Sequence, residues 1–196
     1  MPRFVKGLAL MGAAALLAGC APTGVTAAVV NGVKVPQSRV SAIAEGCSAA
    51  INDSGMAQQQ VTPRMLRADS IQIAVLSERS AQYSVEAAGM GDQLADGESA
   101  VDFLASHEVS GPGVPTQEEL LAAVSAAHQE HLLDNEDCAV GLLGLVRHNL
   151  LAQNARTSYF GAPAEITLNP SYGTWDAKEM KADGSGSLSE LAKAKG

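Results

Sequence analysis

Aromatic side chains are scarce in this chain: three Phe, three Tyr and one Trp make up 4% of 196 residues. With so few large rings, the interior has to be built from Leu, Ile, Val and Ala, which favours packed helices over a β-sandwich. Bases are also few, 13 Lys and Arg against 21 Asp and Glu. Such an acidic chain is repelled by nucleic acid and by anionic lipid headgroups, so neither is an expected partner. Long apolar runs are missing as well. Cys138 to Leu151 is broken by Arg147, His148 and Asn149, and no other stretch reaches the ~20 apolar residues of a spanning helix. Cysteine occurs three times, at Cys20, Cys47 and Cys138, and no internal repeat is visible.

The first twenty residues carry the clearest pattern. Met1 to Gly7 holds Arg3 and Lys6 and no acid, and Leu8 to Leu17 is ten residues of Leu, Ala, Met and Gly. That run is long enough to enter a secretion channel and too short to span a bilayer. Leu17-Ala18-Gly19-Cys20 follows, with small residues that let an extended backbone enter a peptidase site. The arrangement resembles the lipobox of bacterial lipoproteins. The resemblance implies removal of residues 1–19 and a diacylglyceryl group on Cys20 as the mature N-terminus. Two or more acyl chains make membrane residence stable, whereas one gives only reversible binding. The expectation is a domain on a lipid tether at the extracytoplasmic face of the cell membrane.

Loss of residues 1–19 would leave 177 residues, a size for one domain with tails. Arg3 and Lys6 leave with them, so 13 bases become 11 against 21 acids, a net charge of −10. With Cys20 lipidated, Cys47 and Cys138 remain, in an oxidising compartment. A disulfide between them would close a loop of about 90 residues and contribute roughly 4 kcal/mol on the chain-entropy model. The alternative is two buried thiols.

Residues 20–26 read as a tether. Ala27-Ala28-Val29-Val30 then reads as a strand, Asn31-Gly32 as a type I′ turn and Val33-Lys34-Val35 as the returning strand. Ser38 is the expected N-cap of a helix to about Asn52, whose buried stripe is Val40, Ile43, Ala44, Cys47 and Ile51. Thr62-Pro63 opens a helix to about residue 88, with Met65, Leu66, Ile73, Leu76 and Val85 on its apolar side. Ile71 to Val75 also alternates like a strand. Glu98 to His107 forms a short helix and Gly111 to Pro115 a turn. Thr116 and Glu119 make a capping box for a helix to about Leu133. Asp134 or Asn135 caps a further helix to about Ser158, with Ala139, Leu142, Leu143, Val146 and Leu150 inward and Cys138 beside Leu142. Glu165 to Leu168 reads as a strand returning to the hairpin. Residues 177–196 are small, charged and Gly/Ser-rich, and are expected to be disordered.

Ala28-Val29-Val30-Asn31-Gly32 and Val35-x-x-Ser38-x-Val40, followed by the Pro-started long helix, resemble the N-terminal chaperone domain of the SurA/PrsA-like family. Asn169-Pro170-Ser171-Tyr172-Gly173-Thr174-Trp175-Asp176 resembles the C-terminal strand of short actinobacterial members. The resemblance spans residues 27–90 and 165–176. It departs at Tyr83 to Met90, where the family's Gly-Ile-x-Val turn is not matched. Between Gly89 and Asp134 lie about 45 residues that read as helices, too few for a parvulin domain, so prolyl isomerase activity is not expected. The implied fold is α+β, mostly α, over residues 27–176. The implied role is non-catalytic binding of unfolded or extended exported polypeptides. An adaptor lipoprotein that binds one folded envelope partner is the alternative.

Several constellations lead nowhere. His128-Gln129-Glu130-His131 has neither zincin spacing. Asp134 to Asp137 lacks the glycine and spacing of a calcium loop and is better explained as charge at a helix N-terminus. Gly184-Ser185-Gly186-Ser187 has no strand before it, and Gly89-x-Gly91 lacks a third glycine. No catalytic residue, metal, cofactor or small-molecule substrate is therefore expected. Tyr172 and Trp175 stand out in an aromatic-poor chain, either as an exposed partner contact or as a lid closing the domain on the hairpin.

Overall fold

The Asn31-Gly32 dipeptide sets the first turn. Both residues adopt left-handed backbone, with φ of 47° and 83°, which is the conformation a two-residue hairpin turn requires. In the computed structural model, which describes residues 25–55, 57–183 and 185–186, this turn joins β1 (Thr26–Val30) to β2 (Val33–Pro36). Cys20 and the rest of the expected lipobox, Leu17 to Gly19, lie outside the described residues. The tether ends earlier than residue 26, since Thr26 is already buried and paired with Pro36.

The order that follows is α1 (Gln37–Asp53), α2 (Pro63–Ala87), α3 (Ala100–Ser106), α4 (Gln117–Ala126), α5 (Glu136–Asn154), α6 (Arg156–Gly161), β3 (Ile166–Leu168), β4 (Trp175–Asp176) and β5 (Lys181–Ala182). The fold is α+β and mostly α. β3 adds antiparallel to β1, pairing Ala28 with Leu168, so the sheet order is β2-β1-β3. The sheet lies on α1 and α2 over a core of Ala28, Val30, Val35, Val40, Ile71, Val75 and Leu168. The C-terminal half of α2 packs on Phe103 and Val101 of α3, and α4 packs on α5 through Leu120, Val124, Leu142 and Val146. None of the described helices is long and apolar enough to cross a membrane.

The strand-like alternation of Ile71 to Val75 gives way to helix because α2 is buried on several sides at once. Its seam with α5 is made of small residues. Ser77 Oγ donates to the Gly141 carbonyl at 3.4 Å and Ser80 Oγ to that of Gly144 at 3.2 Å. A Cβ on Gly144 would overlap the Ser77 side chain and meet its Cα at 3.0 Å. α1 comes equally close to α5 at Gly46, whose added Cβ would strike the Asn135 side chain and the Cys138 amide. There Cys47 and Cys138 are joined as a disulfide, with Cα atoms 4.6 Å apart.

Several boundaries differ from expectation. Pro36, not Ser38, occupies the N-cap of α1, and no side chain caps it; the helix starts at Gln37, two residues earlier, directly after proline's fixed φ. Thr62 is the N-cap of α2 without a side-chain bond, and Met65 is 45% exposed rather than inward. The Thr116–Glu119 capping box is present, but α4 stops at Ala126 instead of about Leu133. His128 turns to φ 54° and a 3₁₀ segment, Glu130–Asp134, follows. Asn135 caps α5 through the Cys138 amide, and the helix ends at Asn154, not Ser158. Ala155, at φ −125°, separates it from α6.

The tail expected to be disordered from residue 177 carries a strand, Lys181–Ala182, and is ordered through Asp183. β4 and β5 pair, Trp175 with Ala182. Asp183 Oδ1 accepts from the amides of Thr174 and Ser185 at 3.0 and 2.9 Å, and Oδ2 accepts from Thr174 Oγ1 at 2.6 Å. These bonds, led by the Thr174 hydroxyl, hold the carboxyl well below the usual carboxylate range. A polar composition reads as disorder when its side chains have no backbone to bind; here one aspartate finds two backbone amides and the hydroxyls of the same two residues.

Candidate functional site

Leu76 to Glu86 on α2 carries a periodic set of polar and aromatic side chains, and the fold brings two distant segments against it. The hairpin turn contributes Asn31. The α6 segment contributes Tyr159, Ala162 and Pro163. With Arg79, Gln82, Tyr83 and Glu86 these residues line a cleft of about 390 Å³.

Asn31 locks the turn onto the cleft. Its Nδ2 donates to Gln82 Oε1 at 2.9 Å and to the Pro163 carbonyl at 3.3 Å. Its Oδ1 accepts from the Glu165 amide at 2.7 Å. Gln82 Nε2 in turn donates to the Val30 carbonyl and to Glu78 Oε1, both at 3.1 Å.

Glu78 and Arg79 are adjacent and both buried, yet they face different partners. Glu78, fully buried, accepts from Ser99 Oγ at 2.6 Å and from the Ala100 amide at 2.9 Å, and lies 3.5 Å from Arg39. Arg39 also forms a two-pronged pair with Asp102 at 2.7 and 2.6 Å. One guanidinium thus serves two carboxylates, with Ser99 and the Ala100 amide completing the Glu78 shell, and the group fastens α1, α2 and α3 together. Arg79 is 4% exposed, and its hydrogen-bond partners are neutral. Its Nη2 donates to the Tyr159 carbonyl at 3.2 Å and its Nη1 to Met180 Sδ at 3.3 Å. The guanidinium lies 4.6 Å from the Tyr159 ring centre and 5.8 Å from that of Phe160. Among the described residues no carboxylate oxygen lies within 4 Å of it.

The aromatic wall is itself braced. Tyr83 meets Tyr159 edge-on with ring centres 5.1 Å apart, and its hydroxyl donates to Ser158 Oγ at 2.7 Å. The Tyr159 hydroxyl and His148 Nδ1 lie 2.7 Å apart. Burial, reinforced by the Arg79 charge, pushes the His148 imidazole down to about 4, so it is neutral at pH 7. Burial pushes the Tyr159 hydroxyl up to about 12, against a smaller opposing pull from Arg79. Rigid rings, a buried cation and fixed amides suit this cleft to holding a ligand segment.

A smaller cavity of about 180 Å³ lies under the loop before α4, lined by His107, Glu108, Thr116 and Arg147 among others. Burial lowers the proton affinity of Arg147 there. Among the described residues no group of three His, Cys, Asp or Glu is placed to hold a metal.

The residues singled out from sequence fall elsewhere. Tyr172 is fully buried in the sheet core and is not an exposed partner contact. The reason is local: Asn169 Oδ1 accepts from the Ser171 amide at 3.0 Å, while the Asn169 amide donates to the Ala27 carbonyl at 2.8 Å. That folds Tyr172 inward. Trp175 is half-buried against the same core, the lid arrangement, and does not line the Arg79 cleft. Cys47 and Cys138 meet 4.6 Å apart at α1 and α5. Arg79, Tyr83, His148 and Tyr159 were not singled out. The available signal was the adjacent Tyr159-Phe160 pair: two of only seven aromatics in the chain, beyond a helix already rich in core residues.

No family model, curated protein or solved structure matches this chain.

Proposed function

We propose that this protein is a lipoprotein, anchored through Cys20 at the extracytoplasmic face of the cell membrane, that holds segments of exported polypeptides without catalysis. The cleft carries this reading: its aromatic wall offers apolar contact and its buried cation a hydrogen-bond donor to an extended chain. The half-exposed Phe160, 43% accessible, widens the apolar surface beside it. The resemblance to SurA-type N-terminal domains supports the same role, and so does a hairpin leading into a helix and then a long helix. The lipobox pattern of residues 1–20 supports the address.

The test is suppression of aggregation. The purified chain should keep an unfolded client soluble at near-stoichiometric ratio, followed by light scattering. Phe160→Ala, at an exposed position, should weaken that effect several-fold without changing the circular dichroism spectrum. A wild-type chain that leaves scattering unchanged rejects the holding role. Crosslinks from the cleft to one folded envelope protein alone would establish the adaptor alternative.

A further inference from the structure

We infer that the cleft beside Arg79 takes a carboxylate of an extended peptide, which replaces the Met180 thioether as the guanidinium's partner. The inference rests on the polypeptide-holding reading above and names what part of the client is held.

A guanidinium that is 4% exposed is an expensive group to keep inside a protein without an anion. In this molecule the rule is obeyed one residue earlier, where Glu78 is met by Arg39, Ser99 and the Ala100 amide. At Arg79 it is not obeyed. The carboxylate nearest in sequence is fully engaged with that other set, and Arg79 donates to a carbonyl and a sulfur instead.

A thioether is a weak acceptor. It is the poorest of this cation's partners, and it arrives on a separate element. Met180 sits at the turn of the β4–β5 hairpin with φ of 55°. A carboxylate is a far stronger acceptor for a guanidinium and matches its planar fork. The rest of the cleft fits the chain behind that carboxylate. Tyr83, Tyr159 and Pro163 supply apolar walls, and Asn31 and Gln82, bonded to each other, hold the edge of the cleft in place.

Glu86 gives the cleft its opposing charge. It is exposed, lines the same space, and stands seven residues beyond Arg79, ~10.5 Å along the helix axis. A peptide carboxylate is therefore drawn toward the Arg79 end and away from the Glu86 end, which fixes an orientation.

Calorimetric titration of the full chain at pH 7.5 and low salt tests the inference with one neutral hexapeptide in three forms. The forms are a free C-terminal acid, a C-terminal amide, and an amide with one internal Glu. The free acid should bind about tenfold or more tighter than the plain amide, the usual strength of a charge-assisted bond. The Glu-bearing amide identifies the source of the carboxylate. Binding like the free acid means that any carboxylate serves; binding like the plain amide means that the chain end is read. Arg79→Lys should erase most of the acid preference. Because that buried site is sensitive, Glu86→Gln serves as a second variant, tightening the free acid about twofold. Trp175, the single Trp, lies on the hairpin that carries Met180, so its emission should shift with the acid and not with the amide.

Equal affinity of acid and amide overturns the inference but leaves the holding function intact. Binding of neither peptide, with client aggregation still suppressed, also overturns it and moves the client surface elsewhere. Failure of both assays removes the holding function itself.

Discussion

His148 shows how one residue ties the cleft to pH. Its imidazole is 8% exposed and its neutral form is held to about pH 4, against an ordinary value near 6.5. Between these two values the unfolded chain binds a proton that the folded chain refuses. Stability is therefore complete above pH 6.5 and falls as pH drops toward 4, by roughly 3 kcal/mol at most. Tyr159 acts at the opposite end. Its hydroxyl keeps its proton to about pH 12, so stability is complete below pH 10 and falls above it. His148→Asn offers an acceptor to the Tyr159 hydroxyl but does not titrate. Urea midpoints measured from pH 7 to pH 4.5 should decline less steeply for this variant than for the wild type; parallel declines would mean that other groups carry the acid sensitivity.

At the scale of elements, what could be read from the sequence depended on whether the signal was local. The Asn31-Gly32 turn and the Thr116–Glu119 capping box act within four residues, and both are where the residues themselves predict them. The ends of α4 and α5 had no such signal. Ala126-Ala127-His128 contains neither Gly nor Pro, yet the chain leaves helical geometry there and turns Leu132 and Leu133 back onto the α4–α5 cluster. The Ser and Gly seam between α2 and α5 was invisible for another reason: a search for large apolar residues passes over positions whose value is their small size. That seam makes a sharp contrast between two glycines. Gly144→Ala would place its Cβ inside the Ser77 side chain, at an α2 backbone that cannot retreat, and should cost about 1–3 kcal/mol or more. Gly161→Ala, where nothing lies within 4 Å of the new Cβ, should be neutral or slightly stabilising. Denaturant melts of the two variants check both signs.

For the whole molecule, the fold class was readable because composition and periodicity are summed over many residues. The cleft was not, since it joins the hairpin turn, the middle of α2 and the α6 segment, up to 132 residues apart along one hydrogen bond. No spacing rule reaches that far. The Cys47–Cys138 bridge has a similar span, 91 residues, but pairing two cysteines needs no geometry once the third is assigned to a lipid. Its effect is global. It ties α1 to α5, and its loop constrains the unfolded chain by roughly 4 kcal/mol on the entropy model. The cleft-lining residues include neither cysteine nor its immediate neighbours. The Cys47→Ser, Cys138→Ser double variant should therefore unfold at a clearly lower denaturant concentration. Below that transition it should keep the preference for free-acid over amide peptide. A double variant that stays folded but loses the preference would show that the bridge shapes the cleft, and that α1, α2 and α5 respond as one body.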